Sequence, residues 1–358
     1  MAYSSITKPT DYFNSVLYTG DDTAIGSGGN AITGVGFQPD FVWIKRRTSD
    51  AAHHAWYDIV RGTTKQLGSS QNSAETTQSE GLTTFGTDGF TVGSLGRVNE
   101  GGGDTYVAWN WKAGGSASSN SNGSITSSVS ANTTAGFSIV SYTGTGSVAT
   151  VGHGLGVAPK FIIVKTRSLS NEAWPVDSRA NDGITYLNET STKGAYGDSS
   201  PFPSTAPTST VFSIGTPNNT NGSGATYIAY CFADVKGYSK FGTYVANANT
   251  NGPFVYTGFK PAFVLVQNTS VAQGWYMMDN KRNTFNEVTK SVSPHNNSTE
   301  NDSSNNNGCD FLSNGFKVRA VGTGDINHTS GNTYIYMAFA ENPFVANDSG
   351  TAVPVVAG

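Results

Sequence analysis

Residues 36–45 read GFQPDFVWIK, a Gly-x-x-Pro turn that leads directly into a continuously apolar stretch. The same arrangement returns at residues 156–165 (GVAPKFIIVK) and 258–267 (GFKPAFVLVQ). Proline at a strand entry costs no ladder hydrogen bond, and a short apolar run fits a strand that is covered on both faces. The copies lie about 100 residues apart, which is the scale of a domain. They therefore predict a strand-forming unit that occurs three times.

Each copy closes with a second strand, which follows a loop rich in Gly, Asn and Thr. In the first copy Val107, Trp109 and Trp111 share one strongly apolar face, whereas Ala108 and Asn110 lie on the other. Such period-two alternation is typical of a strand that packs one face on a core. The three closing strands are residues 106–111 (YVAWNW), 227–232 (YIAYCF) and 334–339 (YIYMAF).

A tryptophan and a nearby aspartate follow the first strand of each copy. Because both residues recur at one place, we predict fold packing for the tryptophans rather than stacking on sugar rings. For the aspartates we predict turn capping rather than acid catalysis. The pairs are Trp56 and Asp58, Trp174 and Asp177, and Trp275 and Asp279.

These patterns predict an all-β chain of three tandem antiparallel β-sandwich domains, jelly-roll-like, with a barrel as the alternative geometry. Each unit is large enough to hold a core of its own. The Ser-, Gly- and Asn-rich stretch between the first two units is typical of a flexible linker. The predicted boundaries are 1–115 for the first unit with its N-terminal segment, 116–134 for the linker, 135–239 for the second unit, 240–345 for the third unit and 346–358 for a C-terminal tail.

Composition argues against several classes of function. Charged residues are 13% of the chain, and the 21 Lys and Arg are scattered against 25 Asp and Glu. A nucleic-acid groove needs a concentrated basic field, so we expect no nucleic-acid partner. The N-terminus has no apolar segment of signal-peptide length and no run reaches membrane-spanning length, so we expect synthesis in a cytoplasm and no membrane insertion. Two cysteines, Cys231 and Cys309, are predicted to be buried thiols rather than a bridge.

Catalytic and metal-binding motifs are weak. The adjacent pair His53 and His54 would point to opposite faces of a strand, which makes the two rings poor joint ligands. Residues 302–308 resemble a calcium loop only faintly, because the closing glutamate is missing at its offset. A glycosidase would need two carboxylates at a set separation in one cleft, and no such pair stands out. We therefore predict no enzyme activity, no metal and no cofactor.

Unit-specific loops are the best candidates for binding, because they vary on a repeated scaffold. The segments 188–208 and 291–308 have no counterpart in the other copies. Plain solvent-facing loops are the alternative interpretation. The residues singled out as host or partner contacts are Tyr186, Tyr196, Phe202 and His295.

Several of these motifs occur together in a known group of proteins. The chain resembles repeat-containing virion proteins of tailed bacteriophages, in particular the tail fibre-like proteins of marine and cyanobacterial phages. The resemblance covers most of the chain and is weakest in the second unit, which lacks the Asp-Gly-Phe turn and the Arg-Gly pair. The matching residues are 4–9 (SSITKP), 11–14 (DYFN), 18–20 (YTG), 36–45, 58–62 (DIVRG), 88–90 (DGF), 106–113 (YVAWNWKA) and 340–345 (AENPFV).

The resemblance implies a structural, non-enzymatic virion protein and gives no catalytic residues to transfer. The first hypothesis is a tail fibre or tail adhesion component that contacts the host surface, with other virion proteins and a host glycan as partners. It implies a homo-oligomer, with a trimer favoured. The alternative is a capsid decoration or head-fibre protein bound to the major capsid shell. A glycan-degrading enzyme is a third hypothesis, which lacks its carboxylate pair.

Overall fold

The computed structural model describes residues 4–48, 51–303, 307–320, 326–343, 345–348 and 351–354. Nearly all regular structure in these ranges is antiparallel β-sheet, which confirms the all-β prediction. The helices are short: α1 is Gly96–Asn99, α2 is Asn218–Asn221, and single 3₁₀ turns cover Pro9–Asp11 and Ile25–Ser27.

The first unit is a two-layer arrangement of a four-stranded and a three-stranded sheet. The four-stranded sheet has the order β1-β9-β3-β4 and the three-stranded sheet has the order β2-β8-β7. The first strand pairs with the last, and the second with the one before it, a nested pairing like that of a jelly roll. The strands are β1 (Phe13–Thr19), β2 (Asn30–Thr33), β3 (Phe41–Arg46), β4 (Ala55–Asp58), β5 (Lys65–Gln66), β6 (Thr76–Thr77), β7 (Leu82–Gly86), β8 (Gly89–Val92) and β9 (Thr105–Trp111).

The second unit has a seven-stranded sheet, ordered β10-β11-β12-β18-β14-β15-β16, and a two-stranded sheet, β13-β17. Its strands are β10 (Ser118–Asn120), β11 (Ser127–Asn132), β12 (Phe137–Thr143), β13 (Ala149–Gly152), β14 (Phe161–Thr166), β15 (Pro175–Ser178), β16 (Gly183–Tyr186), β17 (Val211–Ile214) and β18 (Thr226–Phe232).

The predicted linker 116–134 is wrong as a flexible segment, because it contributes β10 and β11 to this sheet. Val129 lies opposite Val140 of β12 and is buried, while its neighbour Ser128 is exposed. The polar composition hides this burial, because Ser127 and Ser130 are buried together with Val129 although their side chains are polar.

The third unit repeats the first, with a four-stranded sheet β19-β27-β21-β22 and a three-stranded sheet β20-β26-β25. Part of the predicted C-terminal tail also forms a hairpin, in which β28 pairs with β29. The strands are β19 (Ser239–Val245), β20 (Phe254–Tyr256), β21 (Phe259–Asn268), β22 (Trp275–Asp279), β23 (Lys290–Ser291), β24 (Asn301–Asp302), β25 (Cys309–Leu312), β26 (Gly315–Val318), β27 (Thr333–Pro343), β28 (Val345–Asp348) and β29 (Thr351–Pro354).

The large sheet of each unit is covered on both faces. Between its two sheets each unit has an outer core of its own. The opposite face of every large sheet packs into one central core, to which all three units contribute. In β3, Val42 and Ile44 face the outer core, whereas Phe41 and Trp43 face the central core. The prediction that this strand is covered on both sides is confirmed.

Aromatic rings join all three units within the central core. The ring of Phe41 lies 4.7 Å from that of Tyr230, centroid to centroid, which links the first unit to the second. Phe339 of the third unit lies 5.0 Å from Phe13 and 5.9 Å from Phe232. The most apolar face of each closing strand therefore packs against the neighbouring units and not against the second sheet of its own unit.

Candidate functional site

The three tryptophans are fully buried, which agrees with the predicted packing role. The prediction that the three tryptophans occupy the same position in each unit is wrong for Trp56. Trp56 lies opposite Trp43, and the residues in this register in the other units are Val176 and Met277. Trp174 and Trp275 stand two residues earlier and correspond to His54. His54, Trp174 and Trp275 stand 15, 15 and 14 residues after the proline of their unit, and a search for a recurring tryptophan passes over His54.

His54, Trp174 and Trp275 form a cyclic set of bonds between units. Nε1–H of Trp174 donates to the carbonyl of Gln71 in the first unit at 2.8 Å. Nε1–H of Trp275 donates to the carbonyl of Tyr186 in the second unit at 2.9 Å. His54 bonds the carbonyl of Ser293 in the third unit through Nε2 at 3.0 Å.

The tautomer of His54 follows from its other ring nitrogen. Nδ1 accepts a hydrogen bond from the indole of Trp43 at 2.8 Å, so Nε2 carries the proton. Burial lowers the pKa of His54 well below its usual value, and the positive charge of Lys45 adds to the effect. The imidazole is therefore a neutral connector between the first and third units.

Two of the three predicted turn-capping aspartates serve as caps. Oδ1 of Asp58 accepts the backbone N–H groups of Val60 and Arg61, and Oδ2 accepts Nε–H of Arg61 at 2.5 Å. Asp279 repeats this pattern with the backbone of Lys281 and Arg282, and its Oδ2 accepts Nε–H of Arg282 at 2.6 Å. Both carboxylates are buried, and the predicted role is confirmed for them.

The prediction is wrong for Asp177. It lies opposite Ile162, whose side chain faces the outer core, and Ser178 occupies the register of Asp58. Asp177 accepts the hydroxyl proton of Tyr196 at 2.7 Å and Nε–H of Arg179 at 2.9 Å. Burial raises the pKa of Asp177, which these two donors partly oppose.

Among the residues that the structure describes, ion pairs cross two of the three boundaries between units. Glu75 of the first unit accepts Nε–H and Nη2–H of Arg167 in the second, each at 3.0 Å, and also contacts Arg61. Glu300 of the third unit accepts Nε–H of Arg47 in the first at 2.8 Å. These bidentate pairs have fixed geometry, because the guanidinium fork matches a carboxylate.

At the third boundary, between the second and third units, the described residues form no ion pair. The backbone N–H groups of Glu75 and Glu300 donate to the carbonyls of Arg167 and Arg47, and the corresponding bond runs from Lys193 to Thr269 at 3.3 Å. A lysine thus stands where the other boundaries have glutamate. Between the second and third units, Lys193 therefore replaces the glutamate and Thr269 replaces the arginine.

The four predicted contact residues mainly pack within the protein. Tyr196 is half-buried beneath the guanidinium of Arg179, which lies 4.0 Å from its ring centroid. His295 accepts the backbone N–H of Trp275 through Nδ1, and burial lowers its pKa to about 4. Tyr186 is half-buried and binds Trp275 through its carbonyl. For these three a contact role stays a prediction. For Phe202 it is wrong, because the side chain is fully buried in the outer core of the second unit.

The suggestion of a calcium loop at 302–308 falls partly outside the described residues, since 304–306 are not among them. The described residues contain no group of three or more His, Cys, Asp or Glu side chains placed to hold a metal ion. Cys231 and Cys309 are free and buried in the outer cores of different units.

A cleft in the third unit was missed by the sequence analysis. We call it the Phe285 cleft; it has a volume of about 610 Å³ and lies beside the turn after β22. Phe285 stands at its rim with 83% of its surface exposed. Val288 and Phe311, both buried, line the cleft, and Lys260 and Glu341 face each other at 3.1 Å on its wall.

The cleft exists because this turn is longer than its counterpart. In the first unit eight residues separate Asp58 from Leu67, which bridges to Trp56. In the third unit twelve residues separate Asp279 from Val292, which bridges to Met277. Aligning the two Asp-x-x-Arg turns would have revealed the insertion and the exposed phenylalanine within it.

Comparison with known sequences places the fold in a family. The family described as domain of unknown function (DUF7483) matches residues 8–343. The chain belongs to the DUF7483 family. No curated protein matches the chain. The match runs through all three units and the segment between them, so the DUF7483 domain corresponds to the whole three-unit body and not to a single sandwich. Within the described part of this DUF7483 chain, no helix has the length and apolar character needed to cross a membrane.

Proposed function

We propose that this chain is a structural, non-enzymatic component of a phage virion, and that it serves as a tail fibre or tail adhesion protein that contacts the host surface. The observation that carries the proposal is the shared central core. Three units packed around common aromatic rings make a rigid body, and rigid scaffolds that carry unlike loops suit recognition. The resemblance of the repeat motifs to virion proteins supports the same function.

The pairing of buried and half-buried carboxylates with arginine supports a non-enzymatic role. Asp58, Asp279, Glu75 and Glu300 are each paired with an arginine, and two of these pairs, Glu75–Arg167 and Glu300–Arg47, join different units. In the Phe285 cleft Glu341 is paired with Lys260. Glycoside hydrolysis needs two carboxyl groups that face one bound sugar.

Capsid decoration is the second candidate, and the cyclic order of the units favours it. Each unit donates a ring N–H to the next one around the central core. Related surfaces of the three units could engage three neighbouring copies of a shell protein at once, with the gain in affinity that multivalent binding gives.

Two measurements test the proposal. Quantitative mass spectrometry of purified particles should find the chain in the virion, with few copies for a tail component and a number matching the capsomers for a decoration protein. The purified chain should bind susceptible cells and compete with phage adsorption if it is the adhesion protein. Its absence from particles would contradict both candidates.

A further inference from the structure

We propose that the Phe285 cleft is a binding site for a neutral pyranose sugar, one or two residues at the end of a glycan. This inference rests on the proposed attachment function, because it names the part of the protein that would bind a host glycan. It goes beyond the residues predicted from sequence, none of which lines the cleft.

The size of the cleft suits such a ligand. Small-molecule sites are concave and enclose roughly 300–1,000 Å³. The Phe285 cleft, at about 610 Å³, lies within this range. It is open on one side, so the end of a longer chain could enter while the remainder stays in solvent.

The exposed ring of Phe285 supplies the recognition of an apolar sugar face. A phenylalanine with 83% exposure forgoes the stabilisation that burial would give, about 1.5–3 kcal/mol. Its ring face carries the negative side of the quadrupole, which attracts the polarised C–H groups on one face of a pyranose. A ligand that stacks there would also remove apolar surface from water.

Amide groups supply partners for hydroxyl groups. Asn286 is held rigidly, since its side chain bonds both the N–H and the carbonyl of Phe311 at 2.8 and 3.0 Å. Asn283 uses its oxygen to accept two backbone N–H groups, which orients its amide. The side-chain oxygen of Asn280 is buried and has no hydrogen-bond partner among the described residues. Because this oxygen is shielded from solvent, a sugar hydroxyl would reach it only after the Asn280 side chain turns towards the cleft, and the new hydrogen bond would then remove that penalty.

The charges of the wall favour a neutral ligand. Lys260 and Glu341 lie 3.1 Å apart and largely cancel each other. Lys281 is exposed at the rim, where solvent screens its charge. An anionic or cationic ligand would therefore find little net field, whereas a polyhydroxylated neutral one would find oriented amides and an aromatic face.

The test uses the purified full chain and saturation-transfer difference NMR with maltose, cellobiose and lactose as probes at millimolar concentration. Irradiating aromatic protein protons should transfer saturation to the ring C–H protons of at least one sugar. Phe285→Ala should weaken that binding about tenfold or more, and Phe285→Tyr should retain it. Val148→Ala is the matched control, because Val148 is also an exposed apolar side chain but lies in the second unit.

Absence of transfer to every probe, or transfer that Phe285→Ala leaves unchanged, would overturn the proposal. Cell binding separates this failure from failure of the attachment function. Wild-type and Phe285→Ala chains that bind cells equally would leave attachment standing and reject the cleft. Sugar binding that depends on Phe285, in a chain that never binds cells, would support the cleft and reject attachment. If the cleft bound a protein partner and none of the sugars, the proposal of a sugar site would also be rejected.

Discussion

The hydroxyl of Tyr230 donates a hydrogen bond to Oδ2 of Asp58 at 2.7 Å, and thereby joins the closing strand of the second unit to a turn of the first. In the corresponding position of the first unit, Nε1–H of Trp109 donates to Oδ2 of Asp279 in the third unit at 3.1 Å. The third unit has Met337 at this position of its closing strand, and the second unit has Ser178 in place of the aspartate. The boundary between the first and second units and the boundary between the first and third units therefore each have one of these buried hydrogen bonds and one ion pair.

Tyr230→Phe should lower the free energy of unfolding by about 1.5–3 kcal/mol, because it removes a buried hydrogen bond to a charged group. Tyr238→Phe is the matched control: Tyr238 is equally buried, but its hydroxyl has no hydrogen-bond partner among the described residues. Tyr238→Phe should leave the free energy of unfolding unchanged or raise it slightly. Urea denaturation followed by tryptophan fluorescence measures both. Equal effects of the two substitutions would contradict the role given to Tyr230.

Acid should lower the free energy of unfolding through His295 of the third unit. The pKa of His295 is lowered by burial from 6.5 to about 4, so folding favours the neutral ring. Its contribution to stability is complete above pH 6.5 and is lost as the pH falls towards 4. By about pH 5 the loss from this residue should be about 2 kcal/mol.

His295→Asn tests this dependence, because the asparagine oxygen can still accept the backbone N–H of Trp275 but cannot take up a proton in this range. The variant should lose less stability than the wild-type chain between pH 7 and 5 in urea denaturation. Identical pH profiles would show that His295 does not contribute, and would leave His54, whose pKa is also lowered, as the source.

The strand β11 should matter for stability although its composition is that of a linker. Val129→Ala removes two buried carbon atoms and should cost about 1–2 kcal/mol. Ser128→Ala, on the exposed side of the same strand, should change little. Thermal denaturation compares the two. A neutral Val129→Ala would indicate that the segment does not pair with β12 in solution.

Light scattering coupled to size-exclusion chromatography checks the predicted homotrimer. A trimer would have a mass of about three times the 37.5 kDa of one chain. A monomeric mass would contradict that prediction and would fit a chain whose three units already satisfy one another around a common core.

Much of the fold follows from residues that report on local structure. The Gly-x-x-Pro turns and the alternation of Val107, Trp109 and Trp111 identify strands correctly, because these constraints lie within a few consecutive residues. The same alternation does not reveal what covers the apolar face. Whether Trp109 packs on its own second sheet or on another unit depends on contacts between residues far apart in the chain.

The candidate site was less predictable. Aromatic and histidine residues in divergent loops attracted attention, yet Phe202 proved to be part of an outer core. Phe285 lies in an inserted turn whose extra length becomes visible when the units are aligned on their Asp-x-x-Arg turns. Loop residues lack the periodicity that separates buried from exposed positions in strands, so composition alone does not rank them.

The boundary at Lys193 and Thr269, where the described residues form no ion pair, has a consequence for how the assembly stays closed. Only residues 233–238 connect the second unit to the third, so the backbone tethers these two units at high effective concentration. The third and first units are not joined by a short stretch of backbone. At their boundary Arg47 and Glu300 form an ion pair. Electrostatic attraction thus reinforces the joint that the polypeptide itself leaves unlinked, and the boundary between the first and second units has both a covalent link and the Glu75–Arg167 pair.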